Sequence, residues 1–411
     1  MSAVREGRVI ALLAVAGFVS AAAIRLCDPM LPELAREFAT TTGDAAQTVT
    51  AYAVAYGVLQ FFWGPVGDHY GKLRAIAAAT LACALGSAGA VTAPSLGALV
   101  AWRALSGATG AAIIALAFAW IGDTVPYERR QATLARVLTG SILGMAAGQI
   151  IGGTFTDIVG WRGAFAFLAI SYVVVGTLLL IELRRMDLTR GAADGPAPRG
   201  GSLRIVQQTR AVLDIAWART ILAIVSVEAI LFFGPVAFLP SYLHARFDIS
   251  LGAAGAIAGA YGLGGLVYTF FAKRLIDRLG ERGLATGGGL VLCVSFATIV
   301  IGPGWQWSLA ATFALGIGFY MLHSTLQTNA TQMAPLARGT AVSLFAAAMY
   351  LSQAVGIALA SVVIDRDGAA WLFAGAAIAL PLVGAGFARL IRNRPAFSAP
   401  PDAPGSSATG R

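Results

Sequence analysis

Four ionisable side chains lie within, or at the edge of, long apolar stretches of this 411-residue sequence: Arg25, Asp28, Arg103 and Glu228. A charge in such surroundings is unfavourable unless it is paired, or unless the group loads and releases a proton. If the stretches are helices rising about 1.5 Å per residue, Asp28 and Arg103 come out at similar depth. We therefore interpret all four as candidates for proton coupling. A static outer-end ion pair or snorkelling side chains are the alternative for the first three.

Glu228 falls about midway along its stretch, where burial disfavours a charged carboxylate. That environment suits a carboxyl group that binds a proton in one state and releases it in another. The hypothesis for Asp28 is that it pairs with Arg25 or Arg103 and that protonation breaks the pair. A protonated Glu228 that is hydrogen-bonded to a neighbouring helix for structural reasons is the alternative for the second carboxyl.

Uncharged polar residues form a second set, and some recur every fourth position, which places them on one helix face. A tyrosine offers a ring for stacking and a hydroxyl for hydrogen bonding, so such a face suits a cavity wall. Hydrogen bonds between helices are the alternative for each residue, and His323 by itself is better interpreted as a satisfied polar residue. The predicted cavity-lining residues are Tyr52, Tyr56, Gln60, Tyr261, His323, Gln327, Tyr350 and Gln353.

The sequence lacks the residue patterns of metal binding, phosphate binding and nucleophilic catalysis. It has no metal-ligand cluster, no phosphate-binding G-x-x-x-x-G-K-[ST] loop and no nucleophile–base arrangement, and its 3 cysteines show no paired spacing. We therefore expect no enzyme activity, no catalytic residue, no metal and no cofactor. A proton gradient, rather than ATP, is the expected energy source.

The composition shows which elements must position these residues. The chain is 57% hydrophobic and 12% charged, whereas soluble domains carry about 25% charged residues. Each apolar stretch is long enough to cross a bilayer as a helix. The twelve predicted spans are 9–27, 46–64, 75–93, 98–120, 133–155, 164–183, 216–239, 251–272, 284–302, 306–328, 339–361 and 370–391.

Sparse identities relate the two halves of the chain. Asp68 and Gly71 match Asp277 and Gly280 at an offset of 209, and three further residues (Arg130, Gly148, Asp157) recur 208 positions later. Such a parallel repeat is typical of secondary transporters. The predicted fold is an all-α membrane protein with 12 transmembrane helices in two six-helix bundles. The predicted units are a bundle at 1–183, a cytoplasmic linker at 184–215, a second bundle at 216–394 and a disordered cytoplasmic tail at 395–411.

Positive charge predicts the orientation. With a cytoplasmic N-terminus, 23 of the 29 Lys and Arg residues fall on the inner side, as the positive-inside rule requires. We expect both termini in the cytoplasm of a bacterial-type cell membrane. A cleaved signal peptide at the first span is the alternative, and it would leave eleven spans.

A motif after the second span carries a family resemblance. It contains Gly64, Gly67, Asp68, Gly71, Lys72 and Arg74. It resembles the G-x-x-x-D-[RK]-x-G-[RK]-[RK] signature of the major facilitator superfamily, and it departs at His69 and Leu73. The resemblance implies a conformational gate that locks the outward-facing state, with a second copy at Asp277 and Gly280.

Two further motifs point to the same family. Arg103 opens a segment similar to the R-x-x-x-G-x-x-x motif, whose arginine the resemblance links to proton coupling. The fifth span resembles the antiporter motif G-x-x-x-G-P-x-x-G-G, with glutamine in place of proline; the matching residues are Gly144, Gly148, Gln149, Gly152 and Gly153. A small-residue packing face explains the same glycines without any antiporter role.

The resemblance is to the bacterial drug and metabolite:proton antiporter branch of this family. It implies a secondary active transporter, and we expect proton-coupled efflux of a small amphipathic compound by alternating access, with multidrug resistance as one outcome. Proton-coupled or facilitated uptake of a sugar, organic acid or other metabolite is the alternative. A non-transporting receptor or a membrane-embedded enzyme is the third interpretation. The expected partners are a small-molecule substrate, protons and lipid, without nucleic acid, and we expect a monomer.

Overall fold

The structure, a computed structural model, describes residues 3–187, 202–366 and 368–394. The described residues form α-helices joined by short connections, with two 3-10 turns at Asp28–Met30 and Pro335–Ala337 and no β-strand among them. The helices are α1 (Ala3–Arg25), α2 (Leu31–Glu37), α3 (Thr42–Ala45), α4 (Gln47–Tyr70), α5 (Lys72–Val91), α6 (Leu96–Thr124), α7 (Tyr127–Val159), α8 (Trp161–Asp187), α9 (Ser202–Asp214), α10 (Ala216–Phe247), α11 (Leu251–Ile301), α12 (Trp305–Gln332), α13 (Arg338–Ile364) and α14 (Ala369–Arg392).

Twelve segments of these helices are long enough to span a membrane. Ten helices in the described part of the chain meet length and hydropathy criteria. The 51-residue α11 is interrupted at Gly280, where φ is 62°, so it contains two spans. The 24-residue α4, whose polar stripe lowers its hydropathy, supplies the remaining one. The prediction of an all-α protein with twelve spans is therefore confirmed.

Local sequence explains where several spans begin and turn. The hydroxyls of Ser95 and Ser250 accept hydrogen bonds from the backbone N–H groups three residues ahead, and so cap α6 and α11. Gly71 and Gly280 both have positive φ, at 90° and 62°, a conformation that side chains with a Cβ disfavour. These two glycines are the matched residues of the repeat, so the same turn is used in each half.

Two segments between predicted spans contain helices rather than irregular loops. The segment after α1 folds into the 3-10 turn at Asp28–Met30, α2 and α3, with Pro29 and Pro32 at helix-starting positions that proline favours. Helix α9 occupies part of the predicted linker. Residues 188–201 of that linker and the predicted tail at 395–411 lie outside the described residues. The boundaries of the two predicted bundles remain predictions.

Glycines set how closely the helices approach. A Cβ added at Gly148 of α7 would lie 2.2 Å from the Ala22 carbonyl oxygen of α1. One added at Gly356 of α13 would lie 2.6 Å from the Ile230 carbonyl oxygen of α10. Each of these two contacts is the counterpart of the other at the offset of 208, so the repeat in the sequence is also a repeat in packing.

We refer to residues 3–187 as the first half and to residues 202–394 as the second half. They meet where α7 packs on the start of α11 and where α4 packs on α13: a Cβ at Gly255 would lie 2.3 Å from the Gln149 carbonyl oxygen, and one at Gly57 would lie 3.0 Å from Leu351 Cγ. These contacts lie at mid-helix or toward the end of the bundle at which α1 finishes. We call that end the closed end.

Candidate functional site

A buried polar network lies at the closed end. Arg25, the last residue of α1, places Nη1 3.3 Å from Oδ2 of Asp28. The same carboxylate oxygen accepts a hydrogen bond of 3.0 Å from Nε2 of Gln149 on α7. Arg25, Asp28 and Gln149 are 1%, 0% and 0% exposed, so this network is shielded from solvent.

The network is not fully satisfied. Arg25 Nε, Asp28 Oδ1 and Gln149 Oε1 are buried without a hydrogen-bond partner among the described residues. The unused donor and acceptor positions leave part of the desolvation cost of this buried ion pair uncompensated. An arrangement of this kind can therefore change partners when the surrounding helices move.

Of the two arginines predicted to pair with Asp28, Arg25 makes the contact and Arg103 does not. Arg103, 1% exposed on α6, donates from Nε to the Thr48 carbonyl oxygen at 3.2 Å. Its guanidinium also lies 4.2 Å from the ring centroid of Tyr52, a cation–π contact. Arg103 thus ties α6 to the start of α4.

Arg25 also contacts the second half. Its guanidinium carbon lies 4.7 Å from the ring centroid of Phe233 on α10. Arg25 and Phe233 occupy equivalent positions of the repeat at the offset of 208. Tyr261 of α11 is a further electrostatic neighbour of Arg25, and its hydroxyl lies 3.4 Å from Met145 Sδ of α7. A change in the charge of the Arg25–Asp28 pair is therefore felt by both halves.

A second buried polar pair lies within the second half. Glu228 of α10 and His323 of α12 approach to 2.8 Å between Oε2 and Nδ1. Their exposed fractions are 1% and 8%. The structure therefore joins a residue predicted to couple protons with one predicted to line the cavity.

Aromatic rings enclose the Glu228–His323 pair. The His323 ring stacks on Phe319 at a centroid distance of 4.9 Å and lies 5.5 Å from Phe345. Phe319 in turn stacks on Phe232 at 4.2 Å. This wall limits the water that can solvate the carboxyl group.

The polar stripe on α4 faces the second half. Tyr52 and Tyr56 stack with centroids 6.1 Å apart, and Tyr56 lies 4.2 Å from the ring of Tyr350 on α13. The Oε1 atom of Gln60 and the Nε2 atom of Gln353 are buried without a described hydrogen-bond partner. We call these side chains the polar strip; its described contact across the halves is that of Tyr56 with Tyr350.

Gln327 does not join this strip. It is exposed on α12, four residues beyond the buried His323. Tyr261 is buried beside α7, as described above.

The predicted gating motif lies at the opposite end from Asp28. Lys72 Nζ lies 3.5 Å from Asp68 and forms an ion pair with Asp123 at the end of α6. A Cβ at Gly67 would lie 2.6 Å from a methyl of Leu116, so α4 packs tightly on α6 there. These interactions stay within the first half.

The other residues of the two gating copies are turn or surface residues. A Cβ at Gly64 would meet nothing within 4 Å, and Arg74 lies on the first turn of α5. In the second copy, Asp277 is exposed and Gly280 forms the break in α11.

The glycines of the fifth-span motif pack directly on backbone. Cβ atoms at Gly144 and Gly152 would lie 2.2 Å from the Phe18 carbonyl oxygen of α1 and 2.1 Å from that of Leu26, directly after α1. A Cβ at Gly153 would lie 2.2 Å from the Leu251 carbonyl oxygen of the second half. The motif therefore holds α7 against both α1 and α11, and it aims Gln149 at Asp28.

Two carboxylates join the halves at the closed end. Asp157, near the end of α7, accepts hydrogen bonds from the backbone N–H groups of Leu251 (3.2 Å) and Gly252 (2.7 Å) at the start of α11. Asp365, after α13, accepts from the N–H of Gly43 (2.9 Å) and the hydroxyl of Thr41 (2.8 Å). We call these contacts the Asp157 clasp and the Asp365 clasp.

The two clasps are copies of each other. Asp365 follows Asp157 by 208 positions, and Leu251 follows Gly43 by the same number. Each carboxylate thus caps the start of a helical segment in the other half, where the backbone N–H groups are unpaired and the helix dipole is positive. The sequence marks both aspartates as repeat positions, but it gives no sign that they bind across the halves.

Sequence reasoning also missed Asp123 as the partner of Lys72, and Glu37, which accepts from Trp161 Nε1 at 2.5 Å and pairs with Arg162. No local pattern marks these acids, because their partners are 51 to 125 positions away. The described residues contain no group of three or more His, Cys, Asp or Glu side chains able to hold a metal ion.

A repeated six-span unit, with charged groups buried where the two copies meet, defines a membrane protein of the secondary-transporter class. Comparison with known proteins gives the family. The sequence model of the Major Facilitator Superfamily matches residues 13–336 and 232–409. The chain belongs to the Major Facilitator Superfamily, as the motif resemblance predicted, and is a multi-pass membrane transporter of a small molecule.

Individual relatives are distant. The puromycin resistance protein pur8 of Streptomyces alboniger is 27% identical over 402 residues, covering 83% of this chain and 78% of the relative. Citrate exporter 1 of Aspergillus niger is 27% identical over 168 residues, covering 41% and 32%. The crystal structure of a bacterial homologue of the human lysosomal transporter Spinster, in an inward-facing and unoccupied conformation, matches with a TM-score of 0.73 at 14% identity, covering 96% of this chain and 98% of that one.

Proposed function

We propose that this chain is a proton-coupled exporter of small amphipathic compounds that works by alternating access. The observation that carries the proposal is the Arg25–Asp28–Gln149 network, since it buries an incompletely satisfied ion pair where α1 and α7 meet the second half. Protonation of Asp28 removes the negative charge that holds Arg25. The free guanidinium then favours a different arrangement of α1 against α10.

The way in which the halves touch supports alternating access. The Asp157 and Asp365 clasps join them at the closed end, and the gating motif at the other end makes its ion pairs within the first half. Rocking of the halves about the mid-helix contact of Tyr56 with Tyr350 would open the closed end and close the other. A proton biases this equilibrium only because it binds one arrangement more strongly than the other.

In this proposal the closed end faces the outside of a bacterial cell membrane, and both termini are cytoplasmic. The charge distribution supports that orientation, since the Lys and Arg residues concentrate at the end opposite Asp28. The relative that confers puromycin resistance supports an amphipathic drug-like substrate. The working unit is proposed to be a monomer.

A small organic anion is the second candidate substrate. The first-half cluster contains two buried guanidinium groups, Arg25 and Arg103, against one carboxylate, Asp28. Arg103 Nη2 is buried without a described partner, so the cluster has donor capacity to spare for an anion. The relative named a citrate exporter supports this candidate.

The test uses cells that lack their own exporters and a panel of puromycin, other drugs and organic acids. Wild-type cells are expected to accumulate less of one compound, and a protonophore or the Asp28→Asn substitution is expected to abolish this difference. Asp248→Asn is the matched control, because Asp248 is an exposed acid at the end of α10.

Three results would count against the proposal. Gradient-dependent expulsion that survives in Asp28→Asn would remove Asp28 from the coupling mechanism. A protonophore that lowers accumulation would indicate uptake instead. If Asp28→Asn abolished the expulsion of organic acids alone, a small organic anion would be favoured as the substrate.

A further inference from the structure

The Glu228–His323 pair belongs to one half only and lies apart from the Asp28 network. The two side chains come from helices α10 and α12, 95 positions apart in the sequence. One carboxylate oxygen, Oε2, faces Nδ1 of the imidazole, while Oε1 is buried without a described hydrogen-bond partner. A carboxyl group this deeply buried needs either a proton or a positive partner.

One proton shared between Glu228 and His323 gives both side chains a hydrogen-bond partner and leaves the pair with no net charge. With one proton, the pair is either a carboxylic acid donating to imidazole or a carboxylate accepting from imidazolium, and both forms are hydrogen-bonded and neutral overall. With no proton the unit has a buried negative charge, and with two it has a buried positive charge, each of which is unfavourable in an apolar setting.

The surrounding elements add no fixed counter-charge at this depth. Arg25 of the first half contacts α10 at the Phe233 ring, and its electrostatic partners are Asp28 and Tyr261. The ends of α9, α10, α13 and α14 carry arginines, but their spanning parts are uncharged apart from Glu228. The ionisable side chains that the elements packed on α10 contribute within the bundle are Tyr320 from α12, Tyr261, Tyr268 and Cys293 from α11, Tyr350 from α13 and Asp28 from the 3-10 turn.

His323 is the member through which a proton can reach the pair. Its side chain is 11% exposed, against 1% for Glu228. We propose that Glu228 and His323 form one proton-holding unit, separate from Asp28, that exchanges its proton with solvent through His323; this rests on the proposed function. In the exchange Nε2 of His323 accepts a proton from water, the proton on Nδ1 moves to Oε2 of Glu228, and no bond between heavy atoms changes.

The chain has only 3 histidines, so the proposal can be tested by nuclear magnetic resonance. Histidine labelled with nitrogen-15 is incorporated into the full chain in lipid nanodiscs, and the ring signals are followed against pH. His323→Gln assigns its signal by loss, and His69 and His244 serve as internal controls. Glu228→Gln is expected to move the His323 titration midpoint by about one pH unit or more. Asp28→Asn and the controls are expected to leave it in place.

An unmoved His323 midpoint in Glu228→Gln would overturn the proposal, and so would an equal shift in Asp28→Asn. If Glu228→Gln does not fold, infrared spectroscopy of the wild type and His323→Gln replaces it. The carboxyl C=O band that titrates in the wild type should then change its midpoint when the imidazole is lost, and an unchanged band overturns the proposal.

These measurements need no transported substrate, so they test the proton-holding unit separately from the proposed export function. A coupled titration in a protein that exports nothing would refute the proposed function and leave the proton-holding unit intact. Proton-driven export with independent titration of Glu228 and His323 would do the reverse.

Discussion

The clasps at the closed end lead to a quantitative prediction about how readily that end opens. Replacing Asp157 or Asp365 by Asn keeps the shape of the side chain but removes its charge and one of its two acceptor oxygens. A hydrogen bond contributes about 1 kcal/mol, and a charge near a helix start contributes about 0.3–1 kcal/mol. Each substitution should therefore destabilise the closed arrangement by about 1.4 kcal/mol, a tenfold change in equilibrium.

The two effects should add, because the clasps lie on different helix pairs and share no partner. Asp157→Asn with Asp365→Asn is expected to raise the open fraction about a hundredfold over the wild type while that fraction remains small. The prediction concerns only opening, so it can be measured without knowing the substrate.

Cys27 is a natural reporter of this opening. It is 0% exposed beside Asp28, and Cys83 and Cys293 can be replaced by serine to leave one thiol. A small, charged thiosulfonate applied from the closed side labels Cys27 at a rate proportional to the open fraction. The single variants should label about tenfold faster than the wild type, and the double variant about a hundredfold faster.

Asp248→Asn controls for the loss of one negative charge at this end of the bundle, since Asp248 is exposed at the end of α10. It should label at the wild-type rate. If the clasp variants also labelled at that rate, the hydrogen bonds across the halves would not hold the closed end, and the reasoning would be refuted.

Two further perturbations test packing and movement. Gly148→Ala should lower the thermal unfolding midpoint in detergent, because its Cβ would lie 2.2 Å from the Ala22 carbonyl oxygen and force the helices apart, at a loss of about 1–3 kcal/mol. The control Gly122→Ala, whose Cβ meets nothing within 4 Å, should leave the midpoint unchanged, and equal midpoints for the two variants would contradict the packing argument. A disulfide between cysteines at Thr41 and Asp365, whose side chains now lie 2.8 Å apart, should abolish transport until it is reduced, whereas each single cysteine should not; transport in the cross-linked protein would rule out opening at this end.

Much of the fold follows from the sequence, because the signals involved are local. A helix that must satisfy all of its backbone groups in lipid needs about twenty apolar residues, and that requirement alone located the spans. The length of the apolar stretch predicts α4 although its polar stripe places it outside simple hydropathy criteria, but the helix continues past the predicted end at Gly64, through Pro65, to Tyr70. The break of α11 at Gly280 was also predicted, since the repeat pairs it with Gly71.

The site could be predicted only in part. Burial of Asp28 and Glu228 follows from their positions in apolar stretches, but their partners do not. Gln149 appears in the sequence as a departure from a motif, and His323 as an isolated polar residue, because the rotation of each helix about its axis is set by packing across the whole bundle. Contacts over 121 and 95 positions, as in these two cases, leave no periodic trace.

The repeat separates the residues that build the transporter from those that give it chemistry. Positions that match between the halves are structural: the Gly71 and Gly280 turns, the Gly148 and Gly356 contacts, and the two clasps. The buried ionisable groups have no ionisable counterpart at the same offset.

At the offset of 208, Asp28 corresponds to Val236, Glu228 to Ser20 and His323 to Ala115. Because the repeat is parallel, both halves place their clasps at the closed end and their gating copies at the other, so the scaffold distinguishes the two ends but supplies no buried proton-binding group. Under the proposed function, proton coupling comes from the unmatched groups, with Asp28 at the contact of the halves and Glu228–His323 within the second. Proton binding at either place would then favour one arrangement of the halves over the other, and this difference in proton affinity is what allows a gradient to drive net movement of a substrate.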